Sequence, residues 1–471
     1  MRGWNLKQHF LTLAAIALSG FAVRALILAA IAPIDFRWES YHIWQIAYYT
    51  LKIGIPNGRM WDLDGLEYFW GPAPILSESF LLWLFNTTST LPFRALNLII
   101  GSATVPLAYL VGKKYYSPNA GLLASALVAF NPITAFNSTI GMSETIGVFF
   151  LVLGIFFYRD KPFYSGLALA IASLSRTELW LISIGMIAAY LVFGKNTTKA
   201  VPSAAGWLLI MIPYFIHVRS VTGNPFYSFY WNFIGNIAGA WTPWYVAPEI
   251  RAIFGALLVG SIAGLLIMVR YRGRIKSYVI PAVFLAFIAY HGLVYTFSGL
   301  APLFERFFLV DIVVGSVLCG YLATKTSKFK SIAAVLILLE CSSFLITTPY
   351  YAGLQSDISG LWGVADQIGS KYHGGTVLSD MPMITYRLIH HWGLSEKDVL
   401  GTLYMPQDNP QVGLKWIEMY NVTWLVVADP KGQSALVFLE QASGNNAQFL
   451  HLTYSFSGAS VYQVDLKAFE Q

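Results

Sequence analysis

The chain alternates apolar runs of about twenty residues with short stretches that hold most of its charges, glycines and prolines. These runs predict crossings at 10–32, 92–112, 119–140, 142–158, 162–175, 178–194, 201–218, 250–270, 278–297, 307–324 and 331–348. In hydrocarbon, a run of that length satisfies its own backbone hydrogen bonds only as a helix, so the pattern predicts a membrane-embedded all-α polytopic bundle. The expected count is about eleven crossings. The first run, Phe10 to Ala32, is too long for the core of a signal peptide and carries Arg24, so it reads as a retained helix.

Beyond residue 348 the pattern changes. Short β-branched runs at Thr376–Leu378, Val422–Ala428 and Ser460–Val464 alternate with helical stretches such as Ile358–Ser370. The expectation is a transmembrane domain over 1–348 and a soluble α/β domain over 349–471, large enough for a core of its own.

Composition agrees with the membrane reading: 56% of the 471 residues are hydrophobic and 11% are charged, against roughly a quarter charged in soluble domains. The net charge of +6 divides unevenly, with an excess of eleven basic groups over 1–348 and of five acidic groups over 349–471. A basic membrane part with an acidic tail argues against nucleic-acid binding and matches the Lys/Arg excess of cytoplasmic loops. Cys319 and Cys341 both fall in apolar runs, so the tail has no disulfide to rely on.

The short loops carrying Lys113 and Lys114, Arg159 and Lys161, and Lys325, Lys328 and Lys330 should face the cytoplasm, as should the N-terminus. This bias makes Pro72–Phe85, an apolar piece of only 14 residues, an interfacial or re-entrant segment and leaves 33–91 as one outer loop. An odd number of crossings then puts the C-terminal domain on the outer side of the cell membrane.

That outer loop is rich in acid: Asp35, Glu39, Asp62, Asp64 and Glu67, with Glu78 close behind. Asp35 and Glu39 stand four apart, so on a helical turn they would share a face. Elsewhere Glu144, Arg176, Glu178, Glu305 and Arg306 fall at outer ends of crossings, where a charge near hydrocarbon is costly unless used or paired. Acids and arginines at one face suit a lipid-linked phosphate, with guanidinium groups holding the leaving group while a carboxylate deprotonates the acceptor. The structural alternative pairs Arg176 with Glu178, and Arg306 with Glu305 or Asp311. Arg24 is expected to snorkel outward or to pair with Asp311 or Glu340. A divalent metal on an outer carboxylate stays open as a cofactor; no zinc spacing and no P-loop occurs.

Several short motifs follow one another along the membrane part: Trp38-Glu39-Ser40-Tyr41 after the first helix, Gly71-Pro72-Ala73-Pro74, and Arg94 leading through Pro106 and Tyr109 to Gly112-Lys113-Lys114. Asn131-Pro132, Ser143-Glu144, Ser175-Arg176-Thr177-Glu178, Gly223-Asn224-Pro225 and Glu305-Arg306-Phe307 come after them. In content and order these motifs resemble the GT-C superfamily of membrane glycosyltransferases, in the branch with protein O-mannosyltransferases and aminoarabinose transferase, where many relatives have His-Pro-Pro at the place of Gly71-Pro72-Ala73-Pro74. The resemblance implies a polyprenyl-phosphate sugar donor, a protein, glycan or lipid acceptor, and an inverted product. By position it implies Glu39 as base with Asp35 beside it, Glu144 as second or metal-associated acid, Arg306 and Arg176 as phosphate contacts, and Glu178 and Glu305 in support. Relatives carry Asp or Asp-Glu where this chain has Trp38-Glu39. The rival readings are a flippase or transporter of a lipid-linked substrate, which internal repeats and midplane polar residues would favour, and a non-catalytic assembly partner.

Overall fold

The structure is a computed structural model. It describes residues 6–58, 60, 68, 70–192, 196–233, 262, 266, 278–296, 305–401, 417–427, 449–456 and 459–469. Nearly all of the crossing expected at 250–270 lies outside the described residues, as do Asp62, Asp64 and Glu67. The chain divides into two compact units. One comprises Met1–Ala30, Phe69–Pro74 and Arg94–Tyr350; the other comprises Ile31–Tyr68, Ile75–Phe93 and Tyr351–Gln471. The division groups most of residues 33–91, expected as one loop, with the tail.

The first unit is helical. It holds α1 (Leu6–Ile31), most of α4 (Leu91–Tyr115), α5 (Pro118–Phe130), α6 (Pro132–Asn137), α7 (Glu144–Tyr158), α8 (Pro162–Ser175), α9 (Glu178–Val192), α10 (Thr197–Thr222), α11 (Tyr227–Phe233), α12 (Val279–Thr296) and α13 (Leu309–Ala323). Among the described residues, five helical stretches are long and apolar enough to cross a membrane: Gln8–Ile31, Leu91–Tyr115, Thr197–Thr222, Glu305–Ala323 and Phe329–Lys371. Others, such as α7, α8 and α9, are apolar but shorter. The fold is a membrane bundle; the count of eleven is not fixed by the described residues.

The run expected to cross at 119–140 is broken. Pro132 disfavours helical backbone at the residue before it, and Asn131 is accordingly extended (φ −70°, ψ 122°). It ends α5 and caps α6, its side chain accepting the Thr134 N–H at 3.0 Å. The break leaves carbonyls at the C-terminus of α5 without helical partners, and Arg24 satisfies them. Its guanidinium donates to Val128 O and Ala129 O, both at 3.1 Å, to Gly20 O at 3.0 Å and to Thr134 Oγ1 at 3.3 Å. Arg24 therefore neither snorkels nor takes Asp311 or Glu340 as its partner. Glu340 accepts from Asn131 Nδ2 at 2.9 Å, and Asp311 lies 3.3 Å from His291. A cation at the negative end of a helix, with its two terminal nitrogens donating to three carbonyls and a hydroxyl, is well placed without a carboxylate.

Small residues set the close helix contacts, as expected where lipid supplies no hydrophobic drive between helices. A Cβ on Gly166 of α8 would collide with Ser203 O of α10 and stand 2.9 Å from Trp207 N. In return, one on Gly206 would collide with Phe163 O and stand 3.0 Å from Leu167 N.

The last crossing, expected at 331–348, is instead part of α14 (Phe329–Lys371), a single helix of 43 residues. At 1.5 Å per residue it is about 65 Å long, twice the hydrocarbon thickness of roughly 30 Å. It takes up the helical stretch expected at 358–370 and passes from the first unit into the second at Tyr351. Among the described residues, the other helices of the second unit are α2 (Trp38–Tyr49), most of α3 (Pro72–Leu84), α15 (Pro382–His390) and α16 (Leu466–Phe469). Among the same residues its strands are five, β1 (Thr376–Ser379), β2 (Val399–Gly401), β3 (Val422–Val427), β4 (Leu450–Phe456) and β5 (Ala459–Val464). They form one sheet in the order β2-β1-β3-β5-β4, with β1 parallel to both neighbours and the other pairings antiparallel. Leu378, Leu425, Val427 and Val464 form its core with Ile417.

Candidate active site

In the first unit, three short connections bring charge to one place. α7 opens on Glu144, an acid in a first helical turn, where the helix dipole favours it. α8 ends at Ser175, and its cap residue Arg176 is extended (φ −151°, ψ 132°), which turns the side chain away from the helix. Glu178 then opens α9. The third connection is a short 3₁₀ turn, Glu305–Phe308, which carries Arg306.

Glu144 Oε1 faces both arginines: it accepts from Arg176 Nη1 at 2.5 Å and stands 2.9 Å from Arg306 Nε in an ion pair. Arg176 Nε also donates to Glu178 Oε1. Both guanidinium groups lie over the ring of Phe307, at 4.7 Å and 5.2 Å from its centroid. The side chains of Arg306 and Glu144 are 2% and 3% exposed, so these charges depend on one another rather than on water. Arg176 does pair with Glu178, as the structural alternative expected, but Glu144 joins both arginines into one group. Glu305 is buried and faces the Tyr350 hydroxyl at 3.5 Å. Asp311 belongs with His291, as above.

Two sequence motifs meet beside this group. Gly71 has φ +78°, and a Cβ there would stand 2.5 Å from Leu174 O and 3.3 Å from Ser175 O. Only glycine combines that backbone with that approach, so the turn before Pro72 rests directly on the end of α8.

Asp35 and Glu39 belong to the second unit, and both are buried. They do not share a helical face. α2 starts at Trp38, after Arg37 in extended backbone (φ −119°, ψ 124°), so Asp35 precedes the helix while Glu39 lies in its first turn. Asp35 Oδ1 accepts the Arg37 N–H at 3.1 Å, and the Asp35 N–H donates to Tyr41 Oη at 2.8 Å. His42, also on α2, is kept neutral by burial, which pushes its imidazole down to about 3. Glu78 on α3 is 1% exposed, and neither of its carboxyl oxygens has a hydrogen-bond partner among the described residues. Burial first, and the charge of Asp35 second, push this carboxyl well above the usual range. The sequence marks Glu78 only as one acid among six, because nothing in a linear pattern shows which acid loses its water.

No group of three or more His, Cys, Asp or Glu able to hold a metal ion occurs among the described residues. Glu144, facing two guanidinium groups, is a poor donor to a divalent cation because the arginines repel it.

Solved structures of low identity share this fold. The oligosaccharyltransferase of Archaeoglobus fulgidus in its apo form matches with a TM-score of 0.58 at 13% identity, covering 89% of this chain and 69% of that one. ArnT from Cupriavidus metallidurans in the apo state matches at 0.58 and 12%, covering 95% and 98%. The same ArnT bound to undecaprenyl phosphate matches at 0.57 and 10%, covering 97% and 98%. The chain thus shares the fold of these solved proteins. By sequence, residues 44–218 match the family model of dolichyl-phosphate-mannose-protein mannosyltransferase, less than half of the chain. No curated protein matches the chain by sequence.

Proposed function

We propose that the chain transfers a sugar from a polyprenyl phosphate to an acceptor nucleophile at the outer face of the membrane, with inversion. The observation that carries this reading is the pair of guanidinium groups on Glu144, held over one aromatic ring. Two planar forks fixed in advance suit a phosphate oxygen cluster better than ammonium groups would, and pre-organisation lowers the ordering cost of binding. The family-model match and the fold support the donor class. The structure of archaeal AglB is solved in complex with an inhibitory peptide and a dolichol-phosphate, and that of ArnT bound to undecaprenyl phosphate.

In the reaction, the acceptor oxygen or nitrogen forms a bond to C1 of the sugar as the bond from C1 to the phosphate oxygen breaks. The electron pair leaves with the polyprenyl phosphate, and the acceptor proton passes to a carboxylate. A single displacement of this kind inverts the anomeric centre. Glu39 takes the base role, with Asp35 as the neighbour that must be tested beside it. Arg306 and Arg176 neutralise charge developing on the leaving phosphate, and Glu144 aligns them. Glu178 and Glu305 hold Arg176 and the 3₁₀ turn in support. The N-terminus is cytoplasmic in this reading and the C-terminal domain is on the outer side. The acceptor is a protein hydroxyl, a lipid-linked glycan or a lipid headgroup. One archaeal oligosaccharyltransferase structure was obtained with Zn and sulfate; Glu144, facing two guanidinium groups, does not suit such a cation.

Donor affinity tests the reading without turnover. Binding of polyprenyl phosphate to purified wild type should weaken at least about tenfold, roughly 1.4 kcal/mol, in Arg306→Lys and in Arg176→Lys. Equal binding by all three proteins would refute the phosphate assignment.

A further inference from the structure

Eleven successive residues of α2, Glu39 to Tyr49, are buried, and they include the polar Glu39, Ser40, His42 and Gln45. A helix covered on every side needs partners around its whole circumference, polar ones included. Within the second unit the tail supplies several of them, beside Ser79 on Ala47 O and Thr88 O on Trp44. Gln45 Nε2 donates to Thr385 Oγ1 of α15 at 3.3 Å, the Tyr48 hydroxyl donates to Glu396 at 3.2 Å, and the Tyr49 hydroxyl donates to Val399 O at the start of β2. Tyr386 of α15 faces α2 twice, with its ring 4.8 Å from Trp44 at 88° and 5.0 Å from Tyr41 at 51°.

The contact with Tyr41 matters because of what Tyr41 holds. Its hydroxyl is the acceptor for the Asp35 N–H, so the ring that leans on Tyr386 also pins the turn leading into α2. Trp362 of α14 closes the other side, its ring centroid 6.3 Å from Tyr41 and 5.9 Å from Tyr386. Trp362 is backed in turn by Arg387, whose guanidinium lies 4.7 Å from the ring and forms a two-pronged bridge to Asp366 at 2.9 and 3.1 Å.

We propose that the C-terminal sheet domain is a positioning element for the acid-bearing turn, acting through Tyr386 and Trp362 on Tyr41, so that it fixes where Asp35 and Glu39 stand. Tyr41, Trp362 and Tyr386 are positioning residues in this assignment, and it rests on the transferase reading given above. A misplacement of about 1 Å at a reacting carboxylate costs up to about a hundredfold in rate, so an aromatic clamp of this kind has kinetic weight without touching substrate.

The test uses the full-length protein in detergent and reads hydrogen exchange and transfer together. Tyr386→Ala should speed amide exchange over residues 34–41 at least about tenfold and lower kcat by about tenfold, with donor KM changed less than about threefold. Tyr386→Phe keeps the ring and should restore both. Should Tyr386→Ala fail to fold, Tyr41→Phe serves: it keeps the ring contacts, removes the acceptor of the Asp35 N–H, and should raise exchange at Asp35 and lower kcat. Unchanged exchange in the variants overturns the restraint, and faster exchange with unchanged kcat overturns its role in catalysis. If wild type itself shows no transfer from any donor, the functional reading falls. A changed exchange rate then supports the restraint alone and removes the catalytic part of the proposal.

Discussion

Arg306 and Glu144, from a 3₁₀ turn and the first turn of a helix far apart in sequence, meet with Nε 2.9 Å from Oε1, and both side chains are almost wholly buried. Arg176 reaches the same carboxylate oxygen. One acid thus holds two cations in register, and most of the consequences that can be measured follow from it.

Glu144→Gln leaves two buried guanidinium groups with one carboxylate fewer. Removing one partner of a buried charge group costs about 3 to 5 kcal/mol, so this variant should melt well below wild type and lose transfer. A double variant, Glu144→Gln with Arg306→Gln, should recover part of the stability and none of the transfer. Thermal unfolding of the purified variants, read beside a transfer assay, checks both statements.

Arg24→Met removes the donors that serve Val128 O and Ala129 O at the broken end of α5. Val128 O keeps the Thr134 hydroxyl at 2.8 Å, so Ala129 O loses most; a buried carbonyl without its partner costs about 1 to 3 kcal/mol, and a loss of that size is expected. Donor affinity should stay at the wild-type value. Ligand binding on the folded fraction, measured beside unfolding, separates the two effects.

The break beneath Arg24 shows what the sequence made legible and what it hid. Apolar period alone extends the helix through 140, and only the Asn131-Pro132 pair, read as a cap, marks the break. Motif order carried the fold class correctly, and Glu144 with Arg176, Glu178 and Arg306 was legible as a set, because charges beside hydrocarbon demand a reason. Their geometry was not: that Arg306 meets Glu144, while Asp311 turns to His291, depends on how α12 and α13 pack. Three of the five strands were visible as β-branched runs. β2, with only three residues, and β4, where His, Thr and Ser alternate with Leu, Tyr and Phe, lack that signal. The 43-residue α14 was read as two pieces, since hydropathy ends near residue 348 while helical propensity does not.

Glu78 gives stability a pH dependence. Its carboxyl keeps a proton in the folded protein well above the ordinary value of 4.5, which the unfolded chain retains. The unfolded state therefore releases a proton that the folded state holds, and stability is full below that ordinary value and falls as pH rises toward the folded value. Glu78→Gln removes the proton difference, so its melting temperature should vary less with pH than that of wild type and should exceed it at neutral pH. Melting curves from about pH 5 to about pH 8 decide this; parallel curves for the two proteins would contradict it.

Gly206→Ala tests the seam between α8 and α10. The new methyl collides with Phe163 O, which is backbone and cannot swing aside. Overpacking of this kind costs about 1 to 3 kcal/mol, and Gly223→Ala, where no atom lies within 4 Å of the new Cβ but φ is +79°, should cost only its backbone strain. Comparing the two melting temperatures separates close approach from conformation.

The central claim is a transfer reaction that uses a carboxylate of the first outer loop. Its most direct measurement is transfer of radiolabelled sugar from a panel of polyprenyl-phosphate sugars to endogenous membrane acceptors, with wild type, Glu39→Gln and Asp35→Asn in matched detergent preparations. Transfer by wild type that disappears in Glu39→Gln, with folding and donor binding intact, is the predicted result. No transfer from any donor by a wild-type protein that binds donor normally, or equal transfer by all three proteins, would contradict it.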